Sequence, residues 1–214
     1  MIYLGTKNET NYGCDYIHFD DTPPEPKIEI AEVPLRDGYV DLTAMLSPMR
    51  RYSSRTLHIG LELRGLRSTW MSNYQALLAD VHGQELKISR TEDANWFYIG
   101  YCTVGALEDH GASAGITIEV MAQPFKRSAT VRATQSATLN GGTSTKTFSV
   151  TDMRGYLEFT TTSTNMTVTY SGRTWTLASG TNTDCNGLIL PSGSNSITLK
   201  GNGSVTVNLR GGTL

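Results

Sequence analysis

Cysteine is scarce in this chain of 214 residues: Cys14, Cys102 and Cys185 are odd in number and far apart. That spacing suits free thiols in a reducing compartment, buried as small apolar side chains, better than a disulfide framework. Long apolar runs are missing as well. No stretch of ~18 apolar residues occurs, and the opening Met1-Ile2-Tyr3-Leu4-Gly5-Thr6-Lys7 has no apolar core behind a basic start. The sequence therefore predicts neither a membrane span nor an ordinary secretory signal. No two Cys or His stand at C-x-x-C or H-x-x-x-H spacing, so the three or four converging ligands of a zinc site are not offered. The phosphate-cradling Gly-x-x-x-x-Gly-Lys-Ser/Thr loop is also absent. No cofactor is expected.

One catalytic pattern does occur. Gly111-Ala112-Ser113-Ala114-Gly115 fits G-x-S-x-G, the hydrolase nucleophile elbow, which needs a helix after the turn and a histidine later in the chain. Here the strand-like Ile116-Thr-Ile-Glu-Val follows, and His18, His58, His82 and His110 all precede Ser113. A small-residue hairpin loop is the better reading. Asp20-Asp21 and Glu92-Asp93 read as turn acids, and His82 before Gly83 as a helix-end residue. A glycosidase needs two convergent carboxylates, yet the last 88 residues hold only Asp152, Glu158 and Asp184. The chain is not expected to be an enzyme.

What is present is unevenly distributed. The net charge of −2 conceals 11 Lys and Arg against 17 Asp and Glu before position 127, and 7 against 3 after it. Ser and Thr supply 31 of those last 88 residues. The shift predicts a boundary after Lys126, giving domains 1–126 and 127–214. The scattered basic residues of the second part lack the clustering of a nucleic-acid footprint.

Period supplies the fold class. Leu57, Ile59, Leu61 and Leu63 alternate with Thr56, His58, Gly60 and Glu62. The same period runs through Glu29–Val33, Leu86 and Ile88, residues 96–104, and Ile116, Ile118 and Val120. An antiparallel β domain follows. Trp70, Tyr74, Leu77, Leu78 and Val81 instead keep helical spacing, which predicts one helix over about 69–81, capped by Ser68 or Thr69 and stopped at His82-Gly83. Asp20 to Pro26, with three prolines, reads as a stiff extended loop. In the second part short strands alternate with turn signals every ~8–12 residues, the pattern of a β-sandwich. Gly201-Asn202-Gly203 is the strongest hairpin signal. Asp41 and Arg55 are candidates for an ion pair. Tyr156, Tyr170 and Trp175 are candidates for a glycan-contact platform.

An ordered set of segments carries a resemblance. It runs from Pro34-Leu35-Arg36-Asp37-Gly38-Tyr39-Val40-Asp41-Leu42-Thr43 through Arg51-Tyr52-Ser53-Ser54-Arg55-Thr56-Leu57, Asp80-Val81-His82-Gly83 and Trp96-Phe97-Tyr98-Ile99-Gly100-Tyr101. It closes with residues 116–126 and the terminal 203–214. Together these resemble the distal tail protein family of long, flexible-tailed bacteriophages. Leu35 departs from it, standing where a glycine is usual.

The resemblance implies a mainly β protein whose amino-terminal domains close into a homohexameric ring, with galectin-like carboxyl-terminal β-sandwiches projecting from it. It further implies a structural hub of the phage tail tip or baseplate, present in the virion and made in the host cytoplasm. The ring's partners would be the tail-tube protein, a tail-tip or tail-associated protein and receptor-binding or baseplate proteins. Phage DNA would pass through its lumen without specific binding, and no membrane would be involved. The motif residues carried over, all structural, are Arg36, Asp37, Gly38, Asp41, Leu42, Arg55, His82, Gly83, Tyr98 and Gly100; no catalytic or metal-binding residue is implied. The alternative reading is a carbohydrate-binding adhesin acting through the second domain, with Trp175, Tyr170 and Tyr156 as its contacts.

Overall fold

A computed structural model describes the chain except residues 33, 36, 44–48, 184 and 186. Arg36 of the motif set and Asp184 therefore lie outside the described residues. The chain divides into two compact units, Met1–Lys126 and Arg127–Thr213.

The first unit is built on one antiparallel sheet. Its strands are β1 (Ile2–Leu4), β2 (Lys7–Asn8), β3 (Cys14–Thr22), β8 (Arg55–Leu63), β9 (Glu85–Arg90), β10 (Trp96–Val104), β11 (Glu108–Asp109) and β12 (Ala114–Ala122). They run in the order β2-β1-β9-β10-β12-β8-β3, with β11 beside β12. Strict alternation along β8 and β12 puts Leu57, Ile59, Leu61, Leu63, Ile116, Ile118 and Val120 on one face, where all are buried. Each such side chain stabilises the fold by roughly 1.5–3 kcal/mol. Helix α1 (Arg67–Val81) covers that face with Trp70, Leu77 and Val81, while Tyr74 and Leu78 pack at its margin. It begins two residues before the predicted start and its N-cap is Leu66, without a side-chain cap; the Thr69 hydroxyl instead donates back to the Leu66 carbonyl at 2.8 Å. The stop is as predicted: His82 is extended and Gly83 has φ +73°.

Between β3 and β8 the chain leaves the sheet as a two-legged arm. Its rungs are β4 (Pro26–Lys27) against β7 (Arg51–Tyr52), and β5 (Ile30–Glu32) against β6 (Tyr39–Asp41). At its tip Gly38 has φ +78°, as a turn there requires, and Leu35 has φ +67°. That conformation costs a branched residue about 1–2 kcal/mol, which is the physical reason for a glycine at such a position.

The second unit is β-sandwich-like. Its core joins Phe148, Val150, Leu157, Phe159, Met166, Val168, Leu177, Leu190, Ile197, Leu199, Val205, Val207 and Leu209. Two long extended stretches, β13 (Lys126–Thr161) and β17 (Ile189–Thr213), frame β14 (Met166–Tyr170), β15 (Arg173–Leu177) and β16 (Gly180–Asn182). The order is β15-β14-β17-β13, with β16 on the far end of β13.

The hairpin expected at Gly201-Asn202-Gly203 is a corner instead. Before it, Thr198, Leu199 and Lys200 pair with Thr169, Val168 and Thr167, and Ser196 meets Thr147. After it, the side chains of Ser204, Thr206 and Asn208 bond Thr138, Ser136 and Thr134, and the Thr162 amide donates to the Ser204 carbonyl. Each half is flanked by other segments, so the glycines carry the chain between two sets of neighbours.

Candidate functional site

The root of the arm is held by a cluster that joins residues distant in sequence. Thr22 and Thr56 are paired where the two legs leave the sheet. Beside them the Arg55 side chain, 3% exposed, donates to Asp21 Oδ2 at 2.7 Å. The Tyr98 hydroxyl donates to the same oxygen at 2.9 Å, and the Arg55 guanidinium lies 5.5 Å from the Tyr98 ring centroid. Burial first, then the bond to Asp21, pushes the Tyr98 hydroxyl up to about 12. Phe19 packs against Tyr98 at 5.8 Å, and Arg90 stacks on Phe19 at 4.1 Å. Asp21 is thus part of a strand and a charge partner, not a turn acid, and it takes the place expected for Asp41. The Asp41 carboxylate accepts the Thr43 amide at 2.9 Å. Sequence reasoning missed this pairing because the partners are 34 positions apart and share no local motif.

The arm itself exposes apolar side chains. Ile28 (61%), Ile30 (54%) and Tyr39 (65%) are open to solvent. A cleft of about 620 Å³ opens among Glu25, Lys27, Glu29 and Arg51. Acids and bases are interleaved there, and the Thr43 and Ser53 hydroxyls that complete the lining accept the backbone amides of Glu29 and Glu25 at 2.7 and 3.0 Å. On the sheet face away from α1, Tyr101 pairs with Met121 across β10 and β12, and both are more than half exposed. Glu119, His58 and Asp20 stand in one register across β12, β8 and β3. His18 lies over Gly60, where any Cβ would strike the imidazole ring.

The other motif residues separate into distinct places. Asp37, Gly38, Asp41 and Leu42 belong to the arm, where the Leu42 amide bonds the Glu29 carbonyl at 2.9 Å. His82 and Gly83 join the end of α1 to β10. His82 Nδ1 accepts the Val104 amide at 3.1 Å, and the Gly83 amide donates to the Cys102 carbonyl at 2.8 Å. Gly100 faces Ala122 so closely that a Cβ would lie 2.6 Å from its Cα. Cys14 and Cys102 are buried, which pushes both thiols up to about 12, while Cys185 is half-buried.

Ser113 sits in the turn between β11 and β12 and donates to Glu62 at 2.7 Å. That bond and the Arg64 contact hold the Glu62 carboxyl below its ordinary range. A strand follows it, as expected. No group of three metal-ligating side chains occurs among the described residues.

In the second unit one of the three aromatic candidates is buried and two are half-buried. Tyr156 is 6% exposed, with the Arg127 guanidinium 4.3 Å from its ring centroid. The Tyr170 hydroxyl donates to Asn195 at 2.9 Å, and both Tyr170 and Trp175 pack against the core. Among the described residues of this unit, Met153 is the exposed large apolar side chain.

No family model matches the chain, and none of the curated proteins does. Among solved structures, the SPP1 Dit (gp 19.1) protein is similar over 100% of this chain and 98% of its own, at 13% sequence identity and a TM-score of 0.57. That protein is described as a paradigm of the hub adsorption apparatus of phages infecting Gram-positive bacteria. This chain is thus a structural neighbour of a phage distal tail hub protein and shares its mainly β fold from end to end.

Proposed function

We propose that this chain is a structural hub protein of a phage tail tip. Six copies close into a ring through their amino-terminal units, joining the tail tube to tail-tip and receptor-binding proteins. The observation that carries this reading is the end-to-end fold similarity to a hub adsorption protein. The similarity spans both units, as a shared role requires and a shared generic sandwich does not.

Two physical features support it. The arm presents Ile28, Ile30 and Tyr39 to solvent, and an exposed apolar extension of this kind is stabilised by covering it with a neighbouring copy. A head-to-tail contact repeated by rotation closes into a ring. The first unit also carries 17 acids against 11 bases. Six copies multiply that excess around a passage for a polyanion, and like charge lets DNA slide without adhering. The role is structural. The adhesin alternative would have to work with Tyr170 and Trp175, which are half-buried, since Tyr156 is 6% exposed.

Gold-labelled antibody against the full chain, applied to virions of the encoding phage, tests the location. The expected result is label at the tail end remote from the head. Label confined to the head, or none on intact or tail-disrupted particles, overturns it.

A further inference from the structure

Strand β15 ends the sheet of the second unit. Among the described residues it pairs with β14 alone, through Tyr170↔Arg173, Thr169↔Thr174, Val168↔Trp175, Thr167↔Thr176 and Met166↔Leu177. The turn joining them is Ser171-Gly172, with φ +47° and +78°, the two-residue type I′ geometry. In such a hairpin the closing pair, Tyr170 and Arg173, exchanges both backbone bonds, and bonded and non-bonded pairs then alternate. Trp175 and Leu177 therefore spend their backbone groups on β14. Thr174 and Thr176 direct theirs to the open side.

Natural edges are blunted with lysine, proline, bulges or inward charge. None of these stands between Thr174 and Leu177, and the order Thr174-Trp175-Thr176 reads the same in both directions. We propose that β15 pairs antiparallel with the β15 of a second copy, about a two-fold axis through Trp175.

In that register Thr174 of each copy faces Thr176 of the other as a bonded pair, so every outward N–H and C=O of the two threonines is used. The two Trp175 residues form the non-bonded pair between them, at the two-fold axis. On the solvent face the hydroxyl row already present, Thr174 bonded to Thr169 at 2.8 Å, continues into the neighbour. Arg173 is the one charge on the strand, and the two copies of it fall at opposite ends, roughly 14 Å apart at ~3.4 Å per residue and beyond the Debye length of physiological salt. A foreign strand would satisfy the same backbone groups. The sequence symmetry about Trp175 favours a second copy.

The contact is small, so it forms with increasing concentration and strengthens when several copies are held together. Thr174→Pro tests it in the full chain. The ring removes only an outward-facing donor, so the β14 ladder survives, and unchanged amide protection at Val168 and Leu199 checks this. The expected result is a native mass half that of the wild type at high concentration, with the slow exchange of the Thr176 amide lost. Thr176→Lys, which places like charges near the axis, should halve the mass as well. A mass unchanged by both variants overturns the proposal, as does protection of Thr174 and Thr176 that arises only when another tail protein is added. A factor of two reads this contact and a factor of six reads the ring, so the two fail separately.

Discussion

Asp21 receives two donors at once, the Arg55 guanidinium and the Tyr98 hydroxyl. Removing it leaves a guanidinium 3% exposed with no carboxylate beside it. Breaking a buried pair on one side is costlier than the pair is stabilising, because the stranded charge keeps its desolvation cost. Asp21→Ala should therefore lower the stability of the full chain by about 3 kcal/mol in urea titration, whereas Tyr98→Phe, which removes one hydroxyl, should cost about 1 kcal/mol. Equal effects would mean the charge is not the main term. At this scale the sequence was partly readable. Arg55 and Tyr98 stand in the ordered segments, but Asp21 looked like a turn acid because nothing local distinguishes a paired strand carboxylate from an exposed one. Leu35 is the reverse case, a departure whose meaning is plain once its φ of +67° is known.

Strands announced themselves wherever one face is buried. Leu57, Ile59, Leu61 and Leu63 alternate with polar neighbours because β8 lies between the core and solvent, and period two follows from that geometry alone. Helix α1 was legible for the same reason, though its start was not, since no capping side chain marks Leu66. Pairing was less legible than existence. Gly201-Asn202-Gly203 has hairpin chemistry, but which neighbours a strand takes depends on the sandwich as a whole, and the core demands a corner there. Close packing explains the glycine at 201. A Cβ would strike the Asn165 carbonyl oxygen, and φ is +142°. Gly201→Ala should destabilise the second unit by roughly 1–3 kcal/mol in thermal unfolding. A loss no larger than that of Gly142→Ala, which meets nothing within 4 Å, would contradict the corner.

For the whole molecule, composition bounded the answer before any fold was known. The sequence lacks metal-ligand spacing and a phosphate loop, its last 88 residues hold only three acids, and its one catalytic pattern lies in a turn followed by a strand. Function then rested on resemblance, since a ring is a property of surfaces and surfaces leave no periodic trace in a sequence. Arm, apolar exposure and charge are each compatible with many roles, and the proposed hub role rests on the end-to-end fold similarity. The central claim is assembly, so native mass of the full chain across a concentration series, with negative-stain imaging of the largest species, tests it most directly. The account predicts six or twelve times 23.4 kDa, as ring-shaped particles. Monomers, or simple dimers that never reach six, at the highest concentration attainable would contradict the ring.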